Sequence, residues 1–122
     1  MKKVQNKICL GFNDPKNEKL NLTQNKKILN EAHNQGYNYI DCADSYYNGN
    51  LLNFIGNNMN KKKKDFFIVN KFQLTNKKEI IQNLDKSLKK LKLDYLDLYM
   101  PHWPNSNFPE EELALLAEKF IK

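Results

Sequence analysis

The 122-residue sequence predicts an α/β protein with a parallel sheet. Short apolar segments alternate with longer segments of helical periodicity, in the order strand, helix, strand, helix. Each strand and helix pair takes about 30 residues, a length that suits right-handed crossovers between parallel strands. Segment 66–69 is continuously apolar and rich in β-forming residues, as in strands covered on both faces. We predict a single domain over residues 1–122.

The first half of the chain contains two of these units. A strand near residues 8–11 is followed by a loop containing Asn13, Asp14 and Pro15. The first helix is predicted from Thr23, its N-cap, to Gly36, since glycine favours a helix end. The second strand is predicted over 37–43, and a second helix over 50–58. One face of that helix is apolar and consists of Leu51, Leu52, Ile55 and Met59.

The second half repeats the pattern. Lys71 ends the apolar strand, and Asn76 with Glu79 resembles a capping box at the start of the third helix. The fourth strand is predicted over 95–100, and an amphipathic helix over 110–122 has acidic residues in its first turn, where they oppose the helix dipole. The third helix carries an apolar stripe at helical spacing, formed by Ile80, Ile81, Leu84, Leu88 and Leu91.

Composition excludes several classes of protein. The net charge of +6 comes entirely from lysine, which argues against a specific nucleic-acid binder because arginine makes most base contacts. The run Lys61–Lys64 is predicted to be a solvated loop rather than a phosphate site. No apolar segment approaches the length of a membrane span, and Cys9 and Cys42 fit neither a disulfide framework nor a zinc site. We therefore expect a cytosolic protein with reduced cysteines and no membrane or nucleic-acid partner.

Polar residues at the strand ends are the candidate functional residues, because active sites of parallel α/β folds gather there. Asp41 is predicted to end the second strand, Lys71 the third and His102 the fourth. Tyr46 lies in the loop after Asp41, at the same end of the sheet. We therefore expect these side chains to converge.

The four residue types suit proton transfer to a carbonyl oxygen. A phenol is a weak acid at neutral pH, and an ammonium group such as that of Lys71 helps Tyr46 to donate its proton by stabilising the phenolate. Asp41 would hold the ammonium, and His102 would orient the carbonyl through a hydrogen bond. Structural roles stay open for each residue taken alone, such as a turn or cap for Asp41 and interfacial packing for Tyr46. No nucleophile or metal site is predicted.

Three segments resemble the aldo-keto reductase family, namely GYNYIDCADSYYNG at 36–49, KDFFIVNKF at 64–72 and SLKKLKLDYLDLYMPHWP at 87–104. The resemblance covers about residues 23–122 and implies a (β/α)8 barrel of the TIM-barrel type that reduces aldehydes and ketones with NADPH. It places the family's catalytic residues at Asp41, Tyr46, Lys71 and His102, with Asp41 also contacting the cofactor. The chain departs from the family's usual residues at Cys42, for Thr or Ser, at Tyr47, for Gly, and at Leu51 and Leu52, for a Ser-Glu pair.

The length predicts about the first four βα units, a half-barrel, because a whole barrel needs about 250 residues. In such barrels the loops after strands 7 and 8 often hold phosphate groups, and the glycine-rich motifs GxGxxG and GxxxxGK[ST] are absent from this sequence. We therefore expect the chain alone to bind NADPH weakly or not at all. The rival interpretation is a truncated, non-catalytic half-barrel that pairs with itself or with another chain.

Overall fold

The computed structural model describes residues 7–12 and 19–121, and the predicted loop at Asn13, Asp14 and Pro15 lies outside them. A parallel sheet has the strand order β1-β2-β3-β4, with a helix after each strand. This confirms the predicted fold class. In chain order the elements are β1 (Leu10–Gly11), α1 (Leu22–Asn34), β2 (Tyr39–Ala43), α2 (Asn50–Asn58), β3 (Phe67–Phe72), α3 (Lys77–Leu91), β4 (Leu98–Pro101) and α4 (Glu110–Phe120).

The helices pack on one face of the sheet. Alternate strand residues point into this layer because side chains alternate between the two faces of a strand. Ile40, Cys42 and Ile68 are fully buried there against α1, α2 and α3. A second cluster joins β3 and β4 to α3 and α4, and its buried members are Phe72, Ile80, Phe108 and Leu116.

The opposite face of the sheet carries no helix among the described residues. The register places Val69 beside Leu98 and Lys71 beside Met100, so all four side chains share this face. Leu98 is 42% exposed and Met100 40% exposed. In a (β/α)8 barrel this face lines the interior, opposite the outer ring of helices. The described chain is therefore half of such a barrel, with its interior face open.

The strand boundaries differ from those predicted. β4 begins at Leu98, not Tyr95, because the carboxylate of Asp97 accepts a hydrogen bond from the backbone N–H of Ile68 at 2.9 Å. A side chain thus takes the place of a backbone partner just before the pairing begins. β1 is also shorter than predicted, with only Leu10 and Gly11 paired to β2.

The helix ends follow from capping. Asn21, not the predicted Thr23, is the N-cap of α1, and its side chain accepts a hydrogen bond from the backbone N–H of Gln24 at 3.0 Å. Both residue types are good N-caps, so propensity alone does not choose between them. Gly36 follows the end of the helix with φ of 80°, which confirms the predicted stop. The predicted cap of α3 is also confirmed, since Asn76 accepts from the N–H of Glu79 at 3.0 Å.

The prediction of a loop at the lysine run Lys61–Lys64 is wrong. Residues Asn60–Asp65 form a 3-10 helix between α2 and β3. This tight helix follows α2 after a single residue, Met59, and such turns are frequent at the ends of α-helices. The second helix itself spans the predicted residues, and its predicted apolar face is buried.

Helices α2 and α3 touch at Gly56. A Cβ atom at this position would lie 2.1 Å from the carbonyl oxygen of Lys90 and 2.9 Å from Cα of Leu91. Both neighbours are backbone atoms, which cannot turn away as a side chain can. Gly56 therefore sets how closely the two helices approach.

Replacing Gly56 with alanine is expected to lower the free energy of unfolding by about 1–3 kcal/mol, the usual range for overpacking. Chemical denaturation measures the change. Gly11→Ala is the matched control, because a Cβ there meets nothing within 4 Å. Equal stability of the two variants would contradict the close contact at Gly56.

Candidate active site

Asp41 and Lys71 lie inside their strands, which corrects their predicted position at the strand ends. β2 continues to Ala43 and β3 to Phe72. Pairing between the strands continues through these polar residues, because backbone hydrogen bonds do not depend on side-chain polarity. The register pairs Ala43 with Lys71, so Asp41 lies two residues from Lys71 along the sheet and on the same face.

Asp41 and Lys71 form an ion pair near the carboxyl end of the sheet. The Nζ atom of Lys71 donates a hydrogen bond to Oδ1 of Asp41. The Lys71 side chain is only 12% exposed and that of Asp41 33% exposed. Burial by itself lowers the pKa of Lys71, but the hydrogen bond and charge of Asp41, with a smaller effect of Tyr46, raise it above its usual value. Lys71 is therefore an ammonium group at neutral pH.

Tyr46 lies over this ion pair. It belongs to the turn of residues 44–49 that joins β2 to α2. Nζ of Lys71 lies 5.3 Å from the centre of its ring, within the range of a cation–π contact. The ring also meets that of His102 edge to face, with 5.4 Å between the ring centres.

His102 directly follows β4, as predicted. Its backbone N–H donates to the carbonyl oxygen of Phe72 at 2.8 Å, which extends the pairing of β3 and β4 by one residue. The Nδ1 atom lies 3.3 Å from Nε2 of Gln73. Because an amide nitrogen only donates, Nδ1 accepts, and the neutral ring carries its proton on Nε2. Burial and then the charge of Lys71 lower the pKa of His102, so the neutral form predominates at pH 7.

Removing the Lys71 charge is expected to raise the pKa of His102, because an ammonium nearby disfavours a second positive charge. The measurement is an NMR titration of the His102 ring in wild-type and Lys71→Met chains. His33 provides an internal reference because it pairs with Asp65 elsewhere. An unchanged His102 titration would show that Lys71 does not act on the ring.

The four predicted side chains are thus brought together, and sequence reasoning missed the residues around them. Asn70 is fully buried and donates to Oδ1 of Asp44 at 2.6 Å. A polar residue within an otherwise apolar strand was the signal for it, since buried amides need partners. The Cys42 thiol donates to the carbonyl oxygen of Val69 at 3.0 Å. A thiol here thus makes the hydrogen bond that the hydroxyl of Thr or Ser could make. Burial, followed by the charge of Asp41, raises the pKa of this thiol, so it stays protonated.

Trp103 is the other residue without a predicted role. Its ring stacks on that of His102, with 5.4 Å between the ring centres and 12° between the planes, and it is 67% exposed. The stack covers one side of the imidazole. No three His, Cys, Asp or Glu side chains of the described segments are placed to hold a metal ion. Nor do these segments form a helix that is both long and apolar enough for a bilayer crossing.

An open parallel half-barrel with a carboxylate, an ammonium, a phenol and a neutral imidazole near its strand ends defines a TIM-barrel protein with a polar candidate site in the usual place. The model of the Aldo/keto reductase family matches residues 7–122. The chain belongs to the aldo/keto reductase family.

Relatives and solved structures agree with this assignment. Aldo-keto reductase family 1 member A1 of Gallus gallus is 37% identical over 90 residues, which cover 68% of this chain and 28% of that protein. The structure of the thermostable aldo-keto reductase Tm1743 with the inhibitor epalrestat is 30% identical, with a TM-score of 0.76, over 90% of this chain and 43% of that one. An aldo-keto reductase from Klebsiella pneumoniae in complex with NADPH shares the fold, with a TM-score of 0.82 at 24% identity, over 92% of this chain and 40% of that one. The chain thus spans well under half the length of these proteins.

Proposed function

We propose that this chain supplies the proton-donating residues for the NAD(P)H-dependent reduction of an aldehyde or ketone to an alcohol. The observation that carries the proposal is a continuous series of contacts. Asp41 pairs with Lys71, the Lys71 ammonium faces the ring of Tyr46, and that ring meets His102. Each of these groups has a distinct role in the transfer of one proton to a carbonyl oxygen.

Tyr46 is the proposed general acid, which gives its hydroxyl proton to the carbonyl oxygen as that oxygen becomes negative. Lys71 stabilises the phenolate that remains, because its ammonium lies close to the ring and is held there by Asp41. The Nε2–H of His102 is free of the Gln73 contact and can donate to the same carbonyl oxygen. Two donors on one oxygen fix its position and stabilise the charge that develops on it.

The residues fit the reacting end of a nicotinamide cofactor. The carboxylate of Asp41 is a third exposed, and the ion pair with Lys71 uses Oδ1. Its Oδ2 atom can therefore accept a hydrogen bond from a hydroxyl group of the cofactor. NADPH, when bound, supplies the hydride to the carbonyl carbon. Membership of the aldo/keto reductase family supports this choice of cofactor.

A direct test is aldehyde-dependent oxidation of NADPH, measured at increasing protein concentration beside sedimentation of the same samples. We expect reduction that rises more steeply than protein concentration, because associated chains cover the open interior face. Samples without aldehyde are the control. If associated chains at saturating NADPH reduce no aldehyde, the proposal is wrong for this chain.

The second candidate function is a non-catalytic half-barrel that pairs with itself or with another chain. The exposed apolar side chains favour it. Leu98 and Met100 are exposed on the interior face. Leu115 of α4 and Ile28 of α1 are exposed on the helices that follow the two edge strands. β1 and β4 also have unpaired edges in the described sheet, and such edges promote association.

We therefore expect the chain to self-associate, to recruit a partner or to bind hydrophobic dyes as a loosely packed state. Sedimentation with a dye titration measures this. Substitution of Leu98 and Met100 by polar residues should reduce both association and dye binding. A compact monomer with a cooperative thermal transition and no dye binding would contradict the expectation.

The remaining expectations concern surroundings rather than chemistry. A cytosolic location, reduced Cys9 and Cys42, and the absence of membrane and nucleic-acid partners stay predictions. The substrate would be a small-molecule aldehyde or ketone, as is usual for the family, because the site offers two hydrogen-bond donors for a single carbonyl oxygen.

A further inference from the structure

We propose that helix α3, which does not touch the reacting groups, positions Tyr46 through a two-point clamp made by Ser87 and Lys90. Ser87 holds Asp44 at the start of the Tyr46 turn, and Lys90 holds the carbonyl oxygen of Gly49 at its end. The inference rests on the proposed function, since it assigns positioning residues to the proposed acid. It assigns a positioning role to Asp44, Gly49, Ser87 and Lys90, which the contacts among the four site residues do not identify.

The turn needs such a clamp because its backbone is strained. Tyr47 and Asn48 have φ values of 52° and 54°, followed by Gly49 at 79°. A left-handed conformation is ordinary for glycine but unfavourable for tyrosine. Tyr47 and Asn48 therefore need support from surrounding contacts. Hydrogen bonds within the turn give part of it, such as that from the N–H of Gly49 to the carbonyl oxygen of Tyr46 at 3.1 Å, and α3 gives the rest. Tyr46 immediately precedes these residues, so a relaxed turn would move its ring.

The first point of the clamp is Asp44. Its Oδ1 atom accepts hydrogen bonds from Nδ2 of Asn70 at 2.6 Å and from Oγ of Ser87 at 2.8 Å. Its backbone N–H also donates to the carbonyl oxygen of Lys71 at 3.0 Å. Bonds to a carboxylate are stronger than those between neutral groups, and Asn70 and Ser87 are both buried. Asp44 thus fixes the start of the turn to β3 and α3 together.

The second point is Gly49. Nζ of Lys90 donates to its carbonyl oxygen at 3.1 Å. Ser87 and Lys90 are three residues apart on α3 and therefore lie on the same face of the helix. The two ends of the turn are consequently tied to one rigid element. The close contact of Gly56 with the backbone of Lys90 fixes the position of α3 relative to α2.

The experiment uses the full chain labelled with fluorotyrosine and observed by fluorine NMR. The signal that disappears in Tyr46→Phe is assigned to Tyr46. The signal of Tyr37, which lies before the start of β2, is the reference in the same spectrum. Ser87→Ala and Lys90→Gln should each shift or broaden the Tyr46 signal and leave that of Tyr37 unchanged. Lys89→Gln, an exposed neighbour on α3, is the matched control and should change neither signal.

Kinetics give the second readout. Both clamp variants should lower kcat for aldehyde reduction by about tenfold or more with KM nearly unchanged, because a displaced acid still permits binding. Asp44→Asn keeps an acceptor oxygen for Ser87 and Asn70 and should retain more of the rate than Asp44→Ala. A merely structural role for Asp44 would give no such kcat-specific rescue.

The outcomes separate this inference from the proposed function. An unchanged Tyr46 signal in Lys90→Gln, which removes only a partly buried side chain, would overturn the clamp even if Ser87→Ala does not fold. Equal movement of the Tyr37 and Tyr46 signals would overturn it as well, because that indicates general loosening. If the Tyr46 signal moves alone but the wild-type chain reduces no aldehyde, the proposed function fails and the clamp stands.

Discussion

Replacing Tyr46 with phenylalanine is expected to lower carbonyl reduction by at least about 100-fold, the usual contribution of a general acid. Only a hydroxyl group is lost, and the ring that contacts Lys71 and His102 remains. Cofactor affinity should therefore stay nearly unchanged. Steady-state rates and a NADPH titration of the associated protein measure the two effects.

Tyr37→Phe is the matched control for this variant, because the same hydroxyl is removed at a tyrosine two residues before the start of β2. It should reduce aldehydes at the wild-type rate. Wild-type turnover by Tyr46→Phe would remove Tyr46 from the role of acid.

Lys71→Met is expected to be similarly inactive. The substitution removes the charge that stabilises the phenolate and leaves the partly buried carboxylate of Asp41 without its ion-pair partner. We expect a loss of at least about 100-fold in kcat, measured over the full pH range. Lys78→Met, at an exposed lysine of α3, is the control for the loss of one positive charge. A pH–rate profile of Lys71→Met identical to that of the wild type would contradict the role of Lys71.

The sequence predicted the architecture well where periodicity and capping agreed. The third helix has both an apolar stripe and Asn76 as a cap, and α3 begins at Lys77 and ends at Leu91 as these signals indicate. Strand limits were less predictable, because pairing depends on the neighbouring strand. β3 continues through polar Asn70 and Lys71, whereas β4 starts late because Asp97 bonds to the backbone of Ile68. Neither effect is visible in the hydrophobic pattern of one segment.

The candidate site was predictable in its members but not in its support. Topology alone brings Asp41, Lys71 and His102 to one end of the sheet, because parallel strands share a direction. Their partners depend on which side chains meet across elements. Gln73, which contacts Nδ1 of His102, lies outside the three family segments. Ser87, which holds Asp44, lies in one of them but has no residue type or spacing that predicts this contact.

Cys42 and Tyr47 show how departures from a family pattern are accommodated. The thiol at Cys42 keeps a hydrogen bond to β3, so the helix-covered face of the sheet loses no donor there. Tyr47 stands where the family often has glycine and adopts a positive φ. Contacts from α3 at both ends of this turn help to offset the unfavourable conformation of that residue.

A double-mutant cycle tests whether the site residues act together as one proton-transfer unit. The values of kcat/KM for aldehyde reduction are compared among wild type, Tyr46→Phe, Lys71→Met and the double variant. Residues that act as a unit are strongly non-additive, so we expect the double variant to be no slower than the slower single variant. Losses that multiply in the double variant, or single variants that match the wild type, would contradict it.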